Sequence, residues 1–403
     1  MLSVAQARQR ILDRVGRLAA EDVPLREAAG RVLAEEVRAT TDVPGFTNSA
    51  MDGYAVLAQD VAAAGPANPV RLPLRGEVRA GVGPPHPLQA GTAIRIMTGA
   101  PVPAGADAVV RVEDTAEEDG AVLVRASVSA GTSLRAAGSD LRAGDLVAAP
   151  GRVLSPGVIG VCAAAGRTSL RCLRRPSVMV LTTGDELRDV GEPLGPGQIV
   201  NTNRYTLAAA VEEAGGLVLD AGVAPDEREE IAAALRQADA ADLVISSGGV
   251  SMGTYDLVRD LLAQEGRIDF WQVALRPGKP LAFGSVRGVP LIGLPGNPVS
   301  SLVAFELFAR PALLKMQARE DRERPRLWAR TEDALSSPPH LEQYFRGIAR
   351  RQDDGISVRL TGDQGSHVLR SMADANCLVI LPLKTGQIPA GERVEIIELA
   401  PIR

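Results

Sequence analysis

The chain has 403 residues, enough for about two to four domains, and its 45% hydrophobic and 23% charged content is typical of globular proteins. A net charge of −5 and an aromatic content of 3% argue against a nucleic-acid partner, because neither a basic footprint nor a stacking surface is visible. No apolar run approaches the roughly 20 residues that cross a bilayer, so we expect a cytoplasmic protein with no membrane partner.

Metal ligands of the His and Cys type are scarce. The chain has three cysteines and three histidines: Cys162, Cys172, Cys377, His86, His340 and His367. Their spacing matches no zinc site, redox pair or disulfide framework. We therefore expect any bound metal to be a hard cation held by carboxylates, which suggests Mg²⁺.

The first predicted elements are two helices. Apolar residues recur at helical spacing over residues 4–18 behind Ser3, a good N-cap residue, and a second helix is predicted over residues 25–38. From residue 43 to residue 156 the chain changes to short alternating runs broken by Gly and Pro, which predicts β structure with many turns.

From residue 175 predicted strands alternate with helices, which indicates a parallel, helix-covered sheet. The strands are predicted over 178–182, 217–223, 242–247 and 289–294, and the helices over 203–214, from Asp226 (with its side chain as the cap) and over 299–316. Ligands bind beyond the carboxyl ends of such strands, so the loops 183–186, 226, 247–253 and 295–300 should converge. A charged stretch then leads into strand-like runs that predict a small terminal β domain.

Three glycine-rich turns carry the strongest functional signal. They read DLVISSGGVSMGTYD at 242–256, RPGKP at 276–280 and IGLPGNPVS at 292–300. The first and third lie between a strand and a helix, where backbone N–H groups can hold phosphate or another oxyanion. A plain tight turn rarely needs Gly248, Gly249, Gly253 and Asp256 together, so the first turn favours binding.

The other two turns have simpler explanations that stay open. Capping accounts for Asn297 followed by Pro298, although not for the preceding Leu-Pro-Gly. In the middle turn, Lys279 is one of only three lysines among 44 basic residues. Either this position needs the compact charge of lysine, or the lysine is there by chance.

Several acidic and hydroxyl residues are weaker candidates. Asp185 and Glu186 in TTGDEL can hold Mg²⁺ at a strand end, but acidic residues at helix starts are also common dipole partners. Asp52 in SAMDGYA, Thr98 in MTGAP and Asp140 in GSDLRAGD lie in turns for which a structural role explains them equally well.

Taken in order, the motifs resemble one family over nearly the whole chain. They are SAMDGYA, MTGAPVPAGAD, GSDLRAGD, TTGDEL, NTNRY, ISSGGVSMGTYD, RPGKP, GLPGNPVS and GSHVLRSMADANCLVILP, and the family is MoeA, the molybdopterin molybdenumtransferases, related to the E domain of gephyrin. The resemblance implies an α/β and β multidomain fold. Its parts are an N-terminal helical part (1–42) packing with 145–174, an inserted β-rich domain (43–144), a MogA-like, mostly parallel α/β molybdopterin-binding domain (175–325) and a C-terminal β barrel (326–403).

The resemblance also implies an activity, which is insertion of molybdate into adenylylated molybdopterin with Mg²⁺-assisted release of AMP. The family acts as a homodimer with its site between the sheet domain of one subunit and the inserted domain of the other. Partners would be a MogA-like adenylyltransferase and acceptor molybdoenzymes or their chaperones. Two alternatives stay open: a MogA-like adenylyl transfer and a non-catalytic molybdopterin-binding scaffold.

Carried over by motif, the resemblance assigns three sets of residues. The catalytic set is Asp52, Thr98, Asp140, Glu186, Asp226, Asp256, Arg276 and Lys279, and the metal set within it is Glu186, Asp226 and Asp256. The binding set is Thr183, Gly184, Asp185, Ser247, Gly248, Gly249, Ser251, Gly253, Pro295, Gly296, Asn297, Pro298 and Ser300. Arg276 departs from the family, which has lysine there, and Gln272 occupies a second position where lysine is frequent.

Overall fold

A computed structural model describes residues 1–84, 86–248 and 266–403. Its first helix, Val4–Arg14 (α1), begins at Ser3, whose hydroxyl accepts from the Gln6 N–H while the Gln6 side chain accepts from the Ser3 N–H. This reciprocal pair satisfies two backbone donors at the helix start and confirms the predicted cap. Ala7 and Ile11 bury the apolar face.

The prediction of a helix over residues 25–38 is wrong. Only Leu25–Glu27 forms a single 3₁₀ turn, and Gly30 then adopts a φ of +73°, which an α-helix cannot contain. Val32 and Leu33 instead form β-bridges to Val153 and Cys172. These apolar residues are buried by pairing with a distant segment rather than along a helix face.

Short strand pairs join the N-terminal residues to the segment that follows the inserted domain. They are Ala20–Pro24 (β1) with Ser169–Leu173 (β12), Val37–Arg38 (β2) with Leu146–Ala148 (β11), and Asn48–Ser49 (β3) with Leu134–Arg135 (β10). The helix Pro156–Ala164 (α2) begins at Ser155 and packs through Val158 and Cys162.

The inserted part contains a six-stranded sheet in the order β7-β4-β6-β5-β9-β8, as its Gly/Pro-broken alternation predicts. The strands are Gly53–Val56 (β4), Val70–Val78 (β5), Ala93–Ile96 (β6), Ala108–Arg111 (β7), Thr115–Glu118 (β8) and Ala121–Val124 (β9). Short 3₁₀ turns at Ala58–Val61 and Val112–Asp114 connect them. Small apolar cores lie on both faces of this sheet.

A second six-stranded sheet has the order β16-β13-β17-β21-β20-β18. Its strands are Ser177–Thr183 (β13), Leu217–Ala224 (β16), Leu243–Ser247 (β17), Gly266–Gln272 (β18), Pro280–Val286 (β20) and Val289–Leu294 (β21). The four strands β16, β13, β17 and β21 run parallel to one another, as predicted. β20 pairs in antiparallel fashion with both β21 and β18. Arg287 and Gly288 take positive φ and turn β20 directly back into β21.

Helices cover this sheet. They are Thr202–Glu213 (α3), Arg228–Leu235 (α4) with a 3₁₀ turn Arg236–Ala240, and Pro298–Ala304 (α5) continued by a π-helical turn Phe305–Ala309 into Arg310–Met316 (α6). The predicted helices over 203–214 and 299–316 are confirmed. Asp226 does not cap α4, because Glu227 occupies the cap position and makes no side-chain capping bond.

The third six-stranded sheet includes a closed C-terminal barrel. Arg326–Thr331 (β22), Glu342–Gln352 (β24), Gly355–Leu360 (β25), Cys377–Leu381 (β26) and Arg393–Glu398 (β28) close through the β24–β26 pairing. Leu275–Arg276 (β19) adds to β24 in parallel. Smaller pieces are Leu187–Arg188 (β14) with Ile199–Val200 (β15), Leu335–Ser336 (β23) with Gln387–Ile388 (β27), and the helix Arg370–Asp374 (α7). In the described ranges, no helix is both long and apolar enough to span a membrane.

Candidate functional site

The main candidate site is a cleft of about 580 Å³ at the carboxyl ends of three neighbouring strands, β13, β17 and β21. This is the edge at which open α/β sheets bind ligands. Its walls are formed by Thr182, Thr183, Glu186, Leu187, Ile199, Val200, Asn201, Thr202, Asn203, Ser247, Gly248, Gly296, Asn297, Pro298, His367 and Leu369. The predicted convergence of the strand-end loops is therefore observed for three of them.

The glycines of the first and third turns lie close together in this cleft. Gly248 has a φ of +95°, and a β-carbon there would lie 2.4 Å from the Thr183 carbonyl oxygen. A β-carbon on Gly296 would lie 3.9 Å from the Gly248 Cα. The close approach requires glycine at 248, and both glycines line the cleft.

Two asparagines from the NTNRY segment tie the strand ends together. Asn201 caps α3 by accepting from the Arg204 N–H, and its amide donates to Thr182 Oγ1 at 2.7 Å. The Asn203 amide donates to Ser247 Oγ at 2.8 Å and to the Gly296 carbonyl at 2.7 Å. Asn203 thus bridges the two glycine turns. Neither asparagine was predicted as a site residue, although two asparagines at a helix start after a strand were a usable signal.

Two buried polar atoms in the cleft wall have no partner among the described residues. Thr183 Oγ1 and Asn203 Oδ1 make no hydrogen bond there, and their side chains are almost fully buried. The orientation of Asn203 is determined by the Gly296 carbonyl, which can only accept, so the amide nitrogen must face it. Unpartnered buried polar atoms are costly, and each of these two oxygens can still accept a hydrogen bond.

Carboxylates gather beside the cleft. The pKa of Asp226 is raised, first by burial and then by the negative charges of Asp185 and Glu186. The Asp226 N–H donates to Asp185 Oδ1 at 3.0 Å. Glu186 folds back over Gly184, where a β-carbon would lie 2.5 Å from Glu186 Oε2. Glu186 lines the cleft, whereas Asp185 and Asp226 are not among the lining residues.

The predicted metal set stays a prediction. Within residues 1–84, 86–248 and 266–403, no group of three His, Cys, Asp or Glu side chains is arranged to hold a metal ion. Asp256, the third predicted ligand, lies outside these ranges, and so do Gly249, Ser251 and Gly253 of the binding set.

The RPGKP turn lies next to the third glycine turn rather than in the cleft wall. Gly278 has a φ of +113° and packs against Leu275, and a β-carbon on Gly278 would lie 3.6 Å from the Ser300 carbonyl oxygen. The side chains of Arg276 and Lys279 are exposed. Pro295 and Ser300 also stand outside the wall, although the Pro295 carbonyl accepts from Ser247 Oγ at 3.2 Å.

The three predicted residues of the inserted part do not line the cleft of their own chain. Asp52 and Thr98 form a pair, because Asp52 Oδ1 accepts from both the N–H and the hydroxyl of Thr98 at 2.7 Å. These two bonds lower the pKa of Asp52. Asp140 is exposed, and its N–H donates to the Val43 carbonyl.

His367 enters the cleft from the C-terminal part and was missed as a site residue. Its loop is attached to the third turn by the Val299 N–H, which donates to the Ser366 carbonyl at 3.2 Å. Behind the loop, the fully buried Arg346 donates to Ser371 Oγ at 3.0 Å and to the Gly365 carbonyl at 3.2 Å. Burial lowers the pKa of Arg346 to about 10. The only signal in the sequence was the GSHVLRSM motif as a whole.

The family follows from comparison with known proteins. Residues 2–166 match the MoeA N-terminal region (domain I and II), residues 179–315 match the probable molybdopterin binding domain, and residues 329–399 match the MoeA C-terminal region (domain IV). The chain belongs to the MoeA family of molybdopterin molybdenumtransferases. The multidomain α/β and β fold with a C-terminal barrel, predicted from the motifs, is confirmed.

Relatives and solved structures agree with this assignment. Molybdopterin molybdenumtransferase 2 of Mycobacterium tuberculosis is 42% identical over 384 residues, covering 94% of each chain. Molybdopterin molybdenumtransferase of Haemophilus influenzae is 37% identical over 406 residues, covering 98% of each. Two structures of the molybdopterin biosynthesis MoeA protein from Pyrococcus horikoshii superpose with TM-scores of 0.84 and 0.81 at 32% and 29% identity, covering 100% and 99% of this chain and all of theirs.

Proposed function

We propose that this chain inserts molybdate into adenylylated molybdopterin and releases AMP, and that the reaction takes place at the cleft described above. The proposal rests on one observation, which is that Thr183, the Ser247–Gly248 turn and the Gly296–Pro298 turn line the same cleft. Backbone and hydroxyl groups at parallel strand ends suit a nucleotide-like anion.

The chain's own residues would act mainly by positioning. Cleavage of a phosphoanhydride spreads negative charge over non-bridging oxygens, so fixed donors and precise placement matter more than covalent chemistry. Gly248 and Gly296 let phosphate oxygens approach the backbone. Asn203 holds the two turns at a constant separation.

Mg²⁺ is the cation that fits the carboxylates best. Glu186 and Asp226, with Asp256, would hold it, and the bound ion would neutralise charge on the phosphate oxygens. The pKa of Asp226 is raised first by burial and then by the negative charges of Asp185 and Glu186, and this second cause supports the assignment. A hard divalent ion would relieve that repulsion.

Arg276 and Lys279 would attract the molybdate substrate. Both side chains are exposed on a turn that packs next to Ser300, at the start of the helix that follows the third glycine turn. Arginine at 276 keeps the positive charge of the family lysine but has a longer reach and a planar set of donors. We therefore expect a changed affinity for the oxyanion rather than lost binding.

A second copy of the chain would complete the site. Asp52, Thr98 and Asp140 stand outside their own chain's cleft, which supports their delivery to the partner subunit's cleft in a homodimer. Large exposed apolar side chains on the segment beside the cleft also suit a subunit contact: Val190, Leu194, Ile199 and Tyr205. The proposal also includes domain boundaries at about residues 42, 144, 174 and 325 and a cytoplasmic location. Its partners would be a MogA-like adenylyltransferase that supplies the substrate, and acceptor molybdoenzymes or their chaperones.

The direct test is incubation of the purified chain with adenylylated molybdopterin, Mg²⁺ and molybdate, with AMP release as the readout. Molybdate-dependent AMP release is expected, and its absence would contradict the proposal. Formation of adenylylated molybdopterin from ATP would favour the adenylyltransferase alternative, and binding without any turnover would favour the scaffold. An Asp256→Ala variant should lose turnover by about tenfold or more while keeping its oligomeric state.

A further inference from the structure

His367 stands in the cleft in a defined position. Its imidazole packs against Gly365, where a β-carbon would lie 2.8 Å from His367 Cε1 and 3.1 Å from Nδ1. The Gly365 N–H donates to Asp363 Oδ1 at 2.8 Å, which stabilises the turn that carries the ring. Together with the bonds from Val299 and Arg346, these contacts fix the loop that brings the imidazole to the cleft wall.

The other residues of the cleft wall indicate what the His367 imidazole can do. Of the described residues that line the cleft, His367 has the one basic side chain and Glu186 the one acidic side chain. An imidazole always keeps at least one N–H donor, in both its neutral and its protonated form. Phosphoryl oxygens accept hydrogen bonds from such donors, and charge-assisted bonds of this kind are strong.

We propose that His367 donates a hydrogen bond to a phosphoryl oxygen of the ligand in the cleft and thereby sets substrate affinity. The inference rests on the proposed function, because it identifies the phosphoryl group of the adenylylated substrate as the contact. It makes the C-terminal barrel a contributor to the binding site of its own chain. His367 acts on binding and leaves the chemical step to other groups.

The first experiment measures AMP affinity by calorimetry for the wild type, His367→Ala and His367→Gln. The alanine variant should bind AMP about tenfold more weakly, the usual cost of a lost hydrogen bond to a charged group. Glutamine retains an N–H donor and should recover part of the loss. His340→Ala is the matched control, because His340 is also exposed in the C-terminal part and stands outside the cleft wall.

A second variant moves the ring without removing it. The φ of Gly365 is compatible with alanine, so Gly365→Ala would mainly push the imidazole out of place. It should weaken AMP binding in the wild-type background and have no further effect in the His367→Ala background. In assays of AMP release, both single variants should raise KM with kcat within about twofold of the wild type.

Each outcome of these experiments supports or overturns the proposed role of His367. An AMP dissociation constant within about twofold of the wild type for His367→Ala, or an equal loss in His340→Ala, overturns the inference, as does a wild-type protein that does not bind AMP. AMP binding that depends on His367 in a protein that releases no AMP from adenylylated molybdopterin would contradict the proposed reaction alone. A fall in kcat with unchanged KM would also overturn the inference.

Discussion

Gly248 lies so close to Thr183 that a β-carbon on Gly248 would stand 2.4 Å from the Thr183 carbonyl oxygen. The neighbouring strand ends of β13 and β17 therefore meet without room for a side chain. Gly248 is also one of the residues that line the cleft. Structural and binding interpretations of this glycine are thus compatible, since one geometry produces both.

Replacing Gly248 by alanine should disrupt both stability and activity. The positive φ alone costs about 1–2 kcal/mol for a residue with a β-carbon, and the clash with the Thr183 backbone adds to it. Gly191→Ala is the control, because Gly191 has a φ of +90° but open space around it. Urea unfolding and rates of AMP release should show a larger loss for position 248. Equal losses for the two variants would mean that the close contact is unimportant.

Asn203 should be more sensitive to aspartate than to alanine. Alanine removes two hydrogen bonds, which we expect to cost about 2 kcal/mol, whereas aspartate places a carboxylate against the Gly296 carbonyl. Asn68→Asp is the control, since the Asn68 amide makes one long bond of 3.5 Å on an exposed loop. The unfolding free energy and kcat/KM should both fall in the order wild type, alanine, aspartate. The reverse order of the two variants would contradict the bridging role.

The pKa of Asp52 should rise when the Thr98 hydroxyl is removed. Thr98→Val keeps the backbone donor and loses the side-chain donor, so the carboxylate loses one of the two bonds that favour its charged form. Carbon-13 NMR titration of the carboxyl groups would show the shift, and Thr98→Ser should restore the low value. An unchanged pKa in the valine variant would mean that the hydroxyl bond is not formed in solution.

The same pair predicts a pH dependence of stability. Because the pKa of Asp52 is lower in the folded chain than its usual value of 3.8, the pair stabilises the fold above that value. This contribution is lost as the pH falls through the lowered pKa. Thr98→Val should therefore reduce the stability difference between about pH 6 and about pH 3, measured by urea unfolding.

Mg²⁺ should raise the melting temperature of the wild type at neutral pH. Binding to the native carboxylates stabilises the fold by mass action, and it offsets the negative charges of Asp185 and Glu186 that, after burial, raise the pKa of Asp226. Glu186→Gln and Asp226→Asn should weaken the Mg²⁺-induced shift. Glu230→Gln is the charge-matched control, because Glu230 is exposed on α4. If the control loses as much of the shift as the other two variants, the ion binds elsewhere.

Local patterns predicted much of the fold. Ser3 and the apolar spacing behind it identified α1, and the strand–helix alternation from residue 175 identified the parallel strands and their carboxyl ends. These signals succeed because capping and periodic burial depend on residues a few positions apart. The helix predicted over residues 25–38 failed for the opposite reason, since Val32 and Leu33 pair with residues more than a hundred positions away.

The sequence alone determined that glycine-rich turns follow the strands, because small side chains and tolerance of positive φ are properties of single residues. Only the tertiary structure decided which other side chains lie around those turns. Asn203 bridges two turns, Asp226 is crowded by Asp185 and Glu186, and His367 arrives from the barrel. Each of these relationships depends on how distant segments pack, and packing is set by contacts across the whole chain rather than by local periodicity.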